Sequence, residues 1–298
     1  GAARAADGAA LAAFKSTLAR KLAPLSESKD ATIRSTARDV AAKFGVSLDP
    51  EHSLQAVSDA SLSVAERVSS LRSLVGDAAG RLSPALAAAL ASPEPELRAE
   101  ARSIMLRIGD DRATASLADA VEHGDILERQ RAIADLSSLG AAADATLAPV
   151  AQRLAAGSLE PALRLDIVKA AESRSDGPVA AAVARWQAAF GGDSIRRYEE
   201  IALDGGDPVQ GRSIVLYHQS AVCMKCHAVG GSGGNAAPSL DGVASRGDAR
   251  FLLHALVNPS ESIAKGYENA GVSAMPAMGT ILSDAEIRDV VAYLKTLK

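Results

Sequence analysis

The sequence predicts an all-α fold, and three features of its 298 residues carry that prediction. Alanine is abundant while aromatic residues make up only 3% of the chain, a composition that favours closely packed helices and supplies few of the bulky side chains of a large β core. An arginine recurs in Ile33-Arg34, Glu66-Arg67, Leu97-Arg98, Glu128-Arg129, Leu163-Arg164 and Ile195-Arg196, at intervals of 33, 31, 31, 35 and 32, each time opening a helix-patterned stretch. Near the C-terminus, Ser283-Asp284-Ala285-Glu286 forms a capping box, and Ile287, Val290, Val291, Leu294 and Leu297 then recur on one helical face.

Residues 1–205 read as a tandem array of helix pairs. The first four arginine stretches end in glycine, at Gly45, Gly76, Gly109 and Gly140, the usual stop after a helix. Ahead of each there is room for a shorter helix, announced by pairs such as Asp49-Pro50 and Ser83-Pro84. No such unit buries its apolar face alone, so an α-solenoid is expected. Period and pairing resemble HEAT-like repeats, about five complete pairs and a shortened sixth; the Trp, Tyr and Pro landmarks of tetratricopeptide arrays are missing. Trp186, the one tryptophan, lies among alanines and is expected in the core. The arginines are expected to pair with carboxylates between repeats, with Glu66, Glu100 and Glu128 as candidates, rather than to form a ladder for a polyanion. Charge agrees: 32 basic against 36 acidic side chains give a net −4, and nucleic acid is not an expected partner.

Downstream lies Cys223-Met224-Lys225-Cys226-His227. Two thiols three positions apart with an adjoining histidine are the attachment pattern of a c-type haem: each thiol adds across a vinyl group and the histidine becomes the proximal ligand. A zinc knuckle would need a further ligand at knuckle spacing, yet the chain has no other cysteine, and His52, His123, His218 and His254 form no paired motif. A thioredoxin-like pair would sit in a strand-helix unit, whereas Gly, Ser and Asn crowd the stretch after His227. Further on, Ala274-Met275-Pro276-Ala277-Met278-Gly279 offers a thioether as second axial ligand, from Met275 or its rival Met278, and the methionine left off the iron is expected to pack. His254, on a helix predicted over Ala249–Val257, is expected at the surface or hydrogen-bonded in the core rather than on the metal.

From about residue 207 to 298 the chain resembles a class I cytochrome c domain. The resemblance rests on a glycine-bearing first helix opened by Asp207-Pro208, then CMKCH, a Pro238-Ser239-Leu240 turn, and a middle helix ending near Asn258-Pro259-Ser260. Met275-Pro276 and a last helix carrying VVAYL complete it. It implies one haem c per chain, bound by Cys223, Cys226, His227, Pro238, Leu240 and Met275, with His227 and Met275 on the iron. It also implies that the Pro238 carbonyl holds the His227 ring, and that the first and last helices cross with Gly211 against Tyr293. Two departures stand out. Val215 replaces the usual aromatic of the first helix, which suggests looser packing, and the segment has no tryptophan for a haem propionate, leaving Arg246 or Tyr267 to substitute.

These readings divide the chain into a helical repeat domain, 1–205, and a cytochrome c domain, 206–298. The expected function is electron transfer through one His/Met-ligated haem, with the solenoid docking a protein redox donor or acceptor. An alternative makes the chain the C-terminal electron-accepting portion of a sugar-type dehydrogenase, since similar solenoid-cytochrome fusions occur behind β-propellers in Planctomycetes- and Verrucomicrobia-type proteins. No Rossmann fingerprint, nucleophile elbow or plausible carboxylate pair is present, so no enzyme is expected in these residues. No run approaches the length of about 20 apolar residues that a membrane-spanning helix needs. The start, GAARAADGAALAAFKS, lacks a signal peptide's basic region and apolar core. Covalent haem attachment nevertheless implies a periplasmic or otherwise exported protein, so Gly1 is not expected to be the natural start.

Overall fold

The computed structural model of the protein describes residues 14, 17–44, 46, 49–75, 80–268 and 271–298. Helices dominate, and the chain forms two compact units, Gly1–Asp135 and Leu136–Lys298.

In the first unit α1 covers residues 17–26 and is followed by α2 (Ala31–Lys43), α3 (Pro50–Ser58), α4 (Val64–Ser73), α5 (Leu82–Leu90), α6 (Pro95–Arg107) and α7 (Ala113–His123). The next helix, α8 (Ile126–Ser137), begins there. α4 packs against both α2 and α6, while α3 and α5 pack on each other and on α4 and α6. Leu71, Leu74, Leu97, Ile104 and Met105 are sealed into the core of this layering. Asp49 caps α3 with Pro50 in its first turn, as its sequence predicts. Ser83-Pro84 behaves differently: α5 starts two residues before Pro84, at Leu82, without a side-chain cap. A proline in the first turn is still tolerated there, because those positions have no intrahelical acceptor for an N–H. Gly109 and Gly140 take positive φ after α6 and α8, whereas Gly45 and Gly76 lie outside the described residues.

The recurring arginine has a structural register. It is the fourth residue of α2, α4, α6, α8 and α10 (Pro161–Glu172), and the third of α12 (Ser194–Ala202). From there Arg34 donates to the Ser28 and Lys29 carbonyls at 2.7 and 2.9 Å, and Arg98 to those of Ser92 and Pro93 at 2.8 and 2.7 Å. Arg67, Arg129 and Arg164 reach the carbonyls of Val57, Val121 and Leu159. Each guanidinium thus satisfies backbone acceptors left over where the preceding segment turns. The pairing with carboxylates is present but not uniform. Glu66 receives Arg34 at 2.5 Å and Glu128 receives Arg98 and Arg102, both at 2.5 Å, while Glu100 is held by Arg72, Arg107 and Arg131 rather than by Arg67. All three carboxylates are buried, which is why each recruits a charged partner.

In the second unit α9 (Asp144–Ala155) packs on α11 (Gly177–Ala188), and α10 on α11 and α12. Trp186 is buried in α11, edge-on to Phe190. Next come α13 (Pro208–Tyr217), capped by Asp207, and a two-residue antiparallel pair, β1 (Ala228–Val229) with β2 (Ser232–Gly233). α14 (Ala249–Val257) keeps its predicted bounds, and α15 (Asp284–Leu294) opens with the Ser283/Glu286 capping box. Ile287, Val290, Val291 and Leu294 of α15 are buried as predicted; Leu297 lies past the helix end, where its carbonyl accepts from the Ala244 amide.

The change of pattern expected at 205/206 falls in the turn between α12 and α13. The compact unit that contains α13 to α15 nevertheless reaches back to Leu136. Polar bridges from α10 and α12 hold it together: Asp166 of α10 to Arg288 of α15 at 2.9 Å, Arg197 of α12 to Asp284 at 2.5 Å, and Glu199 of α12 to His254 of α14 at 2.7 Å.

Candidate functional site

The site begins with how closely two helices approach. A Cβ added at Gly211 on α13 would stand 1.9 Å from the Asp289 carbonyl oxygen and 2.8 Å from the Tyr293 Cβ on α15, so only glycine permits this crossing. Val215, one turn further along α13, is 2% exposed and forms part of a cavity wall with Val290 and Leu294 of α15.

CMKCH comes directly after this helix. Val222 sits at φ 39°, a left-handed conformation unusual for a β-branched residue, and turns the chain into a 3-10 helix over Cys223–Lys225. The downstream loop then wraps back over the motif. The Gly234 amide donates to the Met224 and His227 carbonyls at 3.0 Å each, and the Ala237 amide to the Cys226 carbonyl at 3.0 Å. A side chain at Gly234 would collide with the Lys225 carbonyl and one at Gly233 with the His227 carbonyl, which accounts for two of the glycines that crowd this stretch. The hairpin tip is tied down by Asp241, which accepts from the Gly230 amide at 2.7 Å; that bond holds its carboxyl below the usual range.

This wrapping brings Pro238 beneath the histidine, and His227 Nδ1–H donates to the Pro238 carbonyl at 2.7 Å. The bond selects the tautomer with its lone pair on Nε2, the arrangement that orients a metal-ligating imidazole and makes it a better donor. Both cysteines are free thiols, Cys223 half-buried and Cys226 exposed. Burial pushes the Cys223 thiol pKa up.

Cys223, His227, Pro238, Leu240 and Met275 all line one cavity, with about 1270 Å³ of empty space including its open mouth. Cys226 is not among its walls. α14 contributes Phe251, Leu252, Ala255 and Leu256, and Ile263 adds to this apolar surface. Arg246 and Tyr267 also border it, and Arg246 donates to the Ser239 and Asp241 carbonyls. The two methionines part company: Met275 faces the cavity, whereas Met278 is 4% exposed in a 3-10 turn packed on α14 and α15. His254 has both ring nitrogens engaged, by Glu199 and by Glu261 at 2.9 Å, and His218 Nδ1 accepts from two backbone amides. Among the described residues no three His, Cys, Asp or Glu side chains form a metal cage.

The residues present fit a haem: a large apolar slot, the Cys223 thiol on its wall with the exposed Cys226 three residues on, an imidazole with a fixed tautomer, and a thioether on the same walls. The α14 wall went unassigned in the sequence, although Leu252, Ala255 and Leu256 carry helical spacing that could have marked it. No curated protein and no solved structure matches the chain. Residues 215–298 match the family described as Cytochrome c, so this part of the chain is a cytochrome c domain, with the covalently bound haem c and haem-based electron transfer that the family implies.

Proposed function

We propose that the protein is a single-haem electron carrier whose iron takes His227 and Met275 as axial ligands, and that its repeat helices, HEAT-like in period and pairing, dock a protein redox partner. The observation that carries this reading is the placement of Cys223, His227 and Met275 on one apolar cavity, with the Pro238 carbonyl on His227 Nδ1. Cys223 and Cys226 would supply the two thioether bonds. The bound haem supplies one-electron exchange at its iron, at a potential that a His/Met ligand pair raises.

The chain's own residues set the conditions for that exchange. Pro238 keeps the imidazole proton on Nδ1 and the ring in one orientation. Val215, Leu252, Leu256 and Leu294 exclude water from the cavity floor, which lowers the local dielectric and favours the less charged state of a bound centre. Arg246 brings a cation to the wall, suited to a propionate. The need for covalent attachment favours an exported protein. No helix among the described residues is long and apolar enough to cross a membrane.

Absorption spectra of the oxidised and reduced holoprotein test the reading. A low-spin spectrum is expected, with a methionine-to-iron charge-transfer band that Met275→Ala abolishes and Met278→Ala leaves in place. The reverse pattern, or a high-spin spectrum in the unsubstituted protein, would refute His227/Met275 ligation.

A further inference from the structure

The segment carrying Met275 is anchored mainly on its C-terminal side. Met278 and Leu282 are both 4% exposed and sunk into the core, whereas upstream the Met275 amide donates to Ser273 Oγ and the Ser273 amide to Ser260 Oγ, each at 3.1 Å in more open surroundings. Gly279 lies within the anchored side, four residues after Met275. A Cβ added there would stand 2.7 Å from the phenolic oxygen of Tyr198 and 3.3 and 3.4 Å from its ring carbons. Tyr198 belongs to α12, a repeat helix upstream of the residues that match the cytochrome c family.

Its neighbours make the same approach. Arg197 bridges Asp284 at the start of α15 and lies 5.8 Å from the Tyr198 ring, while Glu199 holds His254 on α14 and Arg250 at 3.2 Å. Three consecutive residues of one repeat helix therefore engage α15, the methionine segment and α14 in turn.

We propose that α12 is a positioning element for the Met275 segment, with Tyr198 as the positioning residue that braces Gly279 and so limits where the Met275 sulfur can lie along the cavity wall. Its consequence for the haem rests on the reading that Met275 is the second axial ligand. A thioether held in place before it binds forms a more persistent bond than one on a loose segment, because the ordering cost is already met.

The test uses the full-length holoprotein with Tyr198→Ala, Tyr198→Phe and, as a remote control, Tyr217→Ala at a residue 73% exposed. Hydrogen exchange over residues 273–281 reads the bracing directly, and loss of the methionine-to-iron band with rising pH reads its effect on the ligand. Tyr198→Ala is expected to exchange roughly tenfold faster over 273–281 and to lose the band about one pH unit earlier. Tyr198→Phe removes the phenolic oxygen, the atom nearest Gly279 and a hydrogen-bond partner of Asp284, but keeps the ring. It is expected to fall between wild type and Tyr198→Ala, while Tyr217→Ala stays near wild type. Gly279→Ala attacks the contact from the other side and should also speed exchange there, which covers the case in which Tyr198→Ala does not fold. Unchanged exchange over 273–281 in a folded variant overturns the proposal. So does an equal acceleration across α13 and α15, which would make Tyr198 a general stability residue. Faster local exchange in a protein whose unsubstituted form lacks the band refutes methionine ligation and upholds the role of α12.

Discussion

Gly211→Ala probes the crossing on which the haem cavity is built. The added methyl carbon would start 1.9 Å from the Asp289 carbonyl oxygen, so α13 must retreat by about 1.5 Å to restore ordinary contact. A gap of that size forfeits a good part of the dispersion between facing side chains, and Val215, Val290, Tyr293 and Leu294 are all buried around it. Overpacking of this kind costs about 1–3 kcal/mol. Alanine returns about 0.5–1 kcal/mol through its better helix propensity, leaving a net loss of roughly 1–2 kcal/mol. For a unit the size of Leu136–Lys298 this lowers the Tm by about 2–8 °C. The assay is thermal unfolding of the holoprotein, followed by haem absorbance and circular dichroism. Ser213→Ala is the control, an exposed position on the same helix that involves no crossing. A Gly211→Ala protein that melts at or above both wild type and control would refute the reasoning, because helix propensity would then outweigh the contact.

Two further predictions concern buried charges. Burial disfavours the Glu128 carboxylate, but hydrogen bonds from Arg98 and Arg102 outweigh it and bring its pKa from 4.5 down to about 2. A depressed carboxylate contributes its stability above the unfolded value and loses it as pH falls, so the first unit should weaken between pH 4.5 and about 2. Glu128→Gln should flatten that part of a pH series of urea midpoints, and an unchanged slope would count against the assignment. Asp166 and Arg288 form a half-sealed pair in the second unit, each with 11% of its side chain exposed. Asp166→Ala strands the arginine and is expected to cost about 3–5 kcal/mol, whereas Asp166→Leu with Arg288→Met should restore most of it. A double variant no better than the single one would show that the pair is worth more than apolar packing at this site.

Much of the molecule is legible in the sequence because the signals are local. Asp49-Pro50, Asp207-Pro208 and the Ser283/Glu286 box each act within one helical turn, and all three start helices where read. The arginine period marks every second helix because one unit repeats, and the position within the unit repeats with it. CMKCH concentrates its chemistry in five residues, so its cofactor could be named before any fold was known. Pro238 on His227 and Gly211 against Tyr293 were legible through resemblance, since both depend on an arrangement of helices and loops that a family repeats.

Other features depend on contacts between residues far apart in sequence, and only the tertiary structure decided them. Which carboxylate each arginine takes depends on how far each helix is rotated against the next, so Glu100 draws on Arg72, Arg107 and Arg131 while Arg67 turns to a backbone carbonyl. Met275 and Met278 stand three residues apart in similar company, and the turn between them sends one to the cavity and the other into the core. The end of the arginine repeat and the start of the cytochrome motifs near residue 205 divided the chain into 1–205 and 206–298. What the sequence did not show is that bridges such as Asp166 to Arg288, 122 residues apart, draw α10 and α12 into one compact unit with α13 to α15. Composition and periodicity report what each segment can bury. Which partner it is buried against is settled only when the helices dock.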